Sequence, residues 1–216
     1  MNGSMGGPMG GDAASDDAES GEARFPAIAP EAMTDAQRAV AATIASGPPG
    51  GVRGPFLALL HHPALAERLG ALGEHLRYGT GMPDALVELA ILVTARHWGC
   101  GYEWVAHERL ARKAGLDPAI IAAVAAGEVP AAMSDDEATV HGFCREALEG
   151  GEPSAARYGA AVARFGRPGV LDLIALCGYY GLLAMVLNTA DPPLPDGAAP
   201  PLGPLPDRAG QPVRRI

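Results

Sequence analysis

The run from Ala85 to Ala95, ALVELAILVTA, constrains this chain more than any other stretch. Its only polar residues are Glu88 and Thr94, so it reads as a helix in apolar surroundings. A carboxylate left unpaired there is costly enough to take up a proton or recruit a partner. Glu88 is therefore the first candidate for chemistry.

The rest of the chain is punctuated like a helical bundle. Thr34 predicts a cap for a helix reaching about Ser46, and GPPGG breaks the chain before a long apolar-periodic segment from Pro55 to Tyr78. A helix restarts at Pro83, WGCG separates it from one over Gly101 to Ala114, and GLDPAIIAAVAAG supplies a short capped helix. Ser134 and the acidic residues after it open a helix closing on Gly150. Helices near Ser154–Phe165 and Gly169–Asn188 complete the set. No run shows sustained alternation, which predicts an all-α fold of about seven or eight helices without significant sheet.

Composition bounds this reading. A chain of 216 residues with 48% hydrophobic content supports one sizeable core. Residues 1–23 are rich in Gly, Ser, Asp and Ala, with too little to bury to offset ordering, so a disordered tail is expected. Residues 24–190 form the expected domain, and residues 191–216, with eight prolines, an extended arm suited to lie over a neighbouring subunit. The net charge of −9 leaves no basic stripe for nucleic acid or an anionic membrane surface. Three distant cysteines without a CxxC pair, and no secretory signal, predict a cytoplasmic protein without a disulfide framework. The apolar stretch Leu173–Leu187 is shorter than the roughly 20 residues that span a bilayer, and reads as a buried helix. Such a helix exceeds what one small bundle easily covers, so a homo-oligomer is expected.

The segment GCGYEWVAHERLARKAG, from Gly99 to Gly115, holds the chemistry-bearing residues. At about 100° per residue, His107 lies about 40° from Glu103, and Cys100, if helical, about 60°. Leu110, Ala111 and Ala114 share that arc, whereas Glu108, Arg109 and Arg112 fall opposite. If this helix and the preceding one form a hairpin across HWGCG, Glu88 faces Glu103 and His107. Taken alone, Glu103 and His107 also fit an ordinary i,i+4 pair, and Cys100 fits a small buried hydrophobe.

Other chemistries fare worse. Of 16 basic residues only Lys113 is a lysine, placed beside Arg109 and Arg112 on a solvated face, which disfavours Schiff-base catalysis. Di-iron bundles repeat a Glu-x-x-His spacing on two helices, while here Glu103 and His107 are four apart and the pair occurs once. The zinc-protease motif would need a histidine where Ala111 stands. No metal, flavin, nicotinamide or pyridoxal phosphate is expected.

The stretch ELAILVTARHWGCGYEWVAH, preceded by GPFLALLHHPALAERLGALGEHLRY and followed by KAGLDP, closely resembles the carboxymuconolactone decarboxylase family, relatives of the alkylhydroperoxidase-D-like proteins. The resemblance extends over roughly Phe25 to Leu205. It implies an all-helical fold, trimers or hexamers, a pocket near a subunit boundary, and Glu88, Glu103 and His107 as the matching site residues. Alkylhydroperoxidase-D-like reductases carry CxxC before the histidine; here Cys100 holds the first place and Glu103 the second. Without a second thiol three residues away, a dithiol cycle cannot close locally.

The resulting expectation is a cofactor-independent carbon–carbon lyase or isomerase acting on a small unsaturated lactone or carboxylic acid, with lactone decarboxylation as the lead. Glu88, Glu103 and His107 would be catalytic, His107 giving the proton with its ring held by Glu103. Glu88, kept protonated or shared, would donate to an enolate oxygen or orient the histidine. Arg77 or Arg96 would anchor a carboxylate, and Tyr102 and Trp104 would line the substrate site. An isomerase, cyclase or dehydratase needs the same apparatus. The rivals are a peroxide-linked thiol protein using Cys100 and a subunit without turnover.

Overall fold

The computed structural model describes residues 23–47 and 50–204, and the expected tail up to residue 22 and the arm beyond residue 204 lie outside them. The described residues form eight helices and no strand, as the punctuation predicts. They are α1 (Asp35–Ser46), α2 (Pro55–Leu59), α3 (Pro63–Tyr78), α4 (Asp84–Trp98), α5 (Gly101–Lys113), α6 (Pro118–Ala126), α7 (Asp135–Gly150) and α8 (Ala155–Ala190). Two 3-10 turns, Pro30–Ala32 and Pro195–Gly197, flank the set.

Local chemistry sets most boundaries. Thr34 with Gln37, and Ser134 with Glu137, each form a reciprocal capping box, satisfying backbone N–H groups that the first helical turn leaves unpaired. The segment expected to be continuous from Pro55 to Tyr78 is divided in two. His62 accepts from the Leu65 N–H and Pro63 opens the new helix, since a proline fits only a first turn. The helices expected near residues 154–165 and 169–188 run on as one element broken at Gly166, whose φ of 68° and ψ of 177° suit glycine alone.

Helix α4 is the hub. It is buried continuously from Leu86 to Arg96 and packs against α5, α6, α7 and α8. Leu89, Ile91 and Leu92 meet Trp104, Phe143, Leu173 and Leu176 in one core. Thr94, inside that core, donates to the Ala90 carbonyl at 2.8 Å. The thiols of Cys144 and Cys177, distant in sequence, neighbour each other between α7 and α8, with Thr94 beside Cys177.

By length and composition α8 alone among the described helices is apolar enough to cross a membrane. The break at Gly166 divides it, and 56% of its most apolar window is buried inside the molecule, as a core helix requires. The described part of the C-terminal arm folds back on its own chain. Arg109 pairs with Asp196, and Arg96 donates to the carbonyls of Gly203 at 2.6 Å and Pro204 at 3.4 Å.

Candidate functional site

The α4–α5 hairpin turns at Gly99, which takes the left-handed conformation, and Cys100 caps α5 from extended backbone. This turn lays α5 along α4 so that the inward arc of α5 meets the single carboxylate in the middle of α4. Glu88, Glu103 and His107 are all buried, with 6%, 3% and 9% of their surfaces exposed.

The pairing within this trio differs from the expected one. His107 Nδ1 lies 2.7 Å from Glu88 Oε2, so the ring is held by the glutamate of the neighbouring helix and not by Glu103. The i,i+4 spacing places Glu103 and His107 on one face, but the crossing of α4 and α5 brings the Glu88 carboxylate to the imidazole. As a carboxylate Glu88 can only accept, so Nδ1–H donates and Nε2 presents its lone pair. Glu103 Oε2 is sealed from solvent without a hydrogen-bond partner. Burial alone pushes its carboxyl well above the usual range, favouring the neutral acid. Two carboxyls a helix apart thus occupy opposite environments, one paired and one dry.

Two residues that the sequence reading passed over complete the surroundings. Tyr179 and Tyr180 of α8 are buried, and the Tyr180 ring meets His107 edge-on, with centroids 5.1 Å apart and planes at 85°. Tyr179 meets Tyr180 in the same manner at 5.2 Å. Burial, more than any charge, pushes both phenols up, Tyr179 to about 12. The signal for them was the polar GYYG inside an apolar run, which spacing alone does not connect to α5.

The remaining candidates divide. Arg77 lies close enough that its charge acts on both phenols, and its buried Nε has no partner. Arg96, whose Nε is likewise buried without a partner, gives its two terminal nitrogens to the C-terminal arm, and burial lowers its pKa. Trp104 is a core residue whose indole N–H donates to Glu108 at 3.1 Å, and Tyr102 packs against Gly54 at the start of α2. Cys100 is wholly buried beside Ala184 and Leu187. Burial first, and the Glu103 carboxyl next, push its thiol up to about 12, against the depressed value a nucleophilic thiolate needs. Among the described residues no group of three His, Cys, Asp or Glu side chains is placed to hold a metal ion.

Comparison with known proteins agrees with this architecture. Residues 63–144 match the carboxymuconolactone decarboxylase family. The crystal structure of an alkylhydroperoxidase AhpD core, an uncharacterized peroxidase-related protein from Ralstonia eutropha JMP134, superposes with a TM-score of 0.63. It is 20% identical, and the match covers 77% of this chain and 88% of that one. No curated protein matches. From α3 into α7, through Glu88, Glu103 and His107, the chain carries the sequence pattern of the carboxymuconolactone decarboxylase family, built on the fold of the alkylhydroperoxidase core.

Proposed function

We propose that this chain is a cofactor-independent carbon–carbon lyase or isomerase, with decarboxylation of an unsaturated lactone acid as its lead reaction. The observation carrying this reading is the buried Glu88–His107 pair with Glu103 on the same face of α5, its Oε2 sealed without a partner and its carboxyl pushed up by burial. When carbon dioxide leaves such a substrate, the electron pair of the broken bond passes into the conjugated carbonyl as an enolate. Glu103, holding its proton, is the donor that stabilises the enolate oxygen. The imidazole, oriented by Glu88 and boxed by Tyr180, takes up a solvent proton at Nε2 and delivers it to carbon, returning to the neutral ring. An isomerisation uses the same parts: Nε2 removes a proton from one carbon and returns it to another. The proposed working form is a homo-oligomer, trimer or hexamer.

A thiol peroxidase is the second reading, favoured by the description of the R. eutropha relative. Three variants assayed with a lactone acid and, separately, with a peroxide plus a dithiol reductant set the two readings against each other. On the lactone acid, His107→Ala and Glu103→Gln should each lose about 100-fold or more in rate, and Cys100→Ala little. Loss confined to the cysteine variant, with folding unchanged by circular dichroism, would replace the acid–base reading by the thiol one.

A further inference from the structure

We propose that Tyr180 is a positioning residue for His107, its ring fixing the plane of the imidazole, and that Gly73 on α3 sets that ring in place through Tyr179. The inference goes beyond the acid–base reading, since it concerns how the imidazole is held and stands whether or not the ring transfers a proton.

One hydrogen bond leaves the imidazole partly free. The contact between His107 Nδ1 and Glu88 Oε2 at 2.7 Å fixes one corner of the ring, but the torsion about Cβ–Cγ is soft and the ring can still rock around that corner. A second contact is needed to define where Nε2 points. Tyr180 supplies it, with ring centroids 5.1 Å apart and planes at 85°, the geometry of an edge-to-face aromatic pair. A ring standing at right angles to the imidazole blocks the rocking by contact. Tyr180 is 3% exposed, so it has no open space into which to yield. After burial, the charges of Arg77, Glu88 and Glu103 act on its phenol, as expected of a ring beside both carboxyls.

What holds Tyr180 lies one residue before it. Adjacent side chains on a helix diverge by about 100°, so from α8 Tyr180 reaches α5 while Tyr179 reaches α3. The two rings brace each other edge-on, 5.2 Å apart with planes at 87°. The outer end of Tyr179 rests on the α3 backbone at Gly73, where a Cβ would lie 2.8 Å from Tyr179 Cζ and nearer still to the hydroxyl. Any side chain at Gly73 forces the phenol to move, because a packed interior leaves no slack. Glycine inside a helix is weaker than alanine, so the close approach of the phenol, and not the helix, accounts for Gly73. Contacts thus run unbroken from Gly73 through Tyr179, Tyr180 and His107 to Glu88, joining α3, α8, α5 and α4.

Proton NMR of protein carrying nitrogen-15 histidine reads the imidazole without turnover, and the signal missing from His107→Ala identifies His107 among the six histidines. In the wild type its Nδ1–H should give one slowly exchanging proton. Tyr180→Leu should speed that exchange about 2- to 10-fold, the range set by one aromatic contact. Gly73→Ala should act in the same direction by pushing Tyr179 onto Tyr180, whereas Tyr180→Phe, which keeps the ring, should match the wild type. Gly166→Ala strains α8 away from the rings and should leave the exchange unchanged. No persistent signal in the wild type, unchanged exchange in Tyr180→Leu, or equal acceleration in Tyr180→Phe or Gly166→Ala would overturn the role of Tyr180. Should Tyr180→Leu fail to fold, Gly73→Ala decides, and unchanged exchange there overturns the path from α3. A wild type that turns over no lactone acid would remove the acid–base reading, while the exchange rates would still decide how the imidazole is held.

Discussion

Glu103 is where function and stability oppose each other. Its carboxyl is raised by burial, so above the ordinary carboxylate range the native state keeps a proton that the unfolded chain releases. The native state then binds more protons than the unfolded one, and stability falls as pH rises from that range toward the raised value. Glu103→Gln retains the neutral shape without the titration. It should flatten this slope and raise Tm at neutral pH by roughly 2–4 °C, the shift that about 1 kcal/mol produces in a chain of this size. Thermal melts of both proteins across a pH series check this, and a slope that persists in the variant would place its source elsewhere. Cys100 supplies a second residue-scale test. A buried thiol raised to about 12 should react with iodoacetamide at pH 8 far more slowly in the native protein than in urea.

At the scale of elements, the break in α8 separates two tasks. Its first part, residues 155–165, packs with α7, and its second carries the tyrosines to α5. Gly166 makes the change of direction in a conformation closed to residues with a side chain, and Pro168 then fits the opening turn of the second part. Gly166→Ala should therefore cost about 1–3 kcal/mol, read from urea denaturation, although no functional side chain is touched. A cost within a few tenths would mean that the break is not anchored there. Arg96 acts between elements too. Its two bonds to the Gly203 and Pro204 carbonyls hold the arm to the end of α4. Arg96→Gln should speed proteolysis of the arm, seen by mass spectrometry as early cleavage beyond residue 190.

For the whole molecule, the outer face of α8 is the outstanding feature. Leu171, Ile174 and Met185 remain 65%, 48% and 49% exposed on the helix whose inner face holds Tyr179 and Tyr180. At helical spacing these side chains make an apolar stripe, the surface a second copy would cover. Light scattering at micromolar concentration should give a mass above the 22.0 kDa of one chain. Leu171→Glu with Ile174→Glu should bring it down toward that value. A wild-type monomer would remove this expectation.

The helical class, most boundaries and the burial of Glu88, Glu103 and His107 were legible in the sequence, because caps, glycines, prolines and the inward arc of a helix are local properties. Local periodicity also placed Glu103 and His107 on one face. It did not assign the partner of His107, which depends on the depth and angle at which α5 crosses α4. Nor did it separate Arg77 from Arg96, of which only Arg96 is buried and gives its terminal nitrogens to the returning arm. Tyr180 reached His107 from the far end of the chain, through packing of α8 against both α4 and α5. Side-chain type and spacing determined which groups lie inside. Which of them touch, and hence which carboxyl is paired and which is dry, was decided by helix packing, because hydrogen bonds and desolvation depend on distances that only the tertiary structure sets.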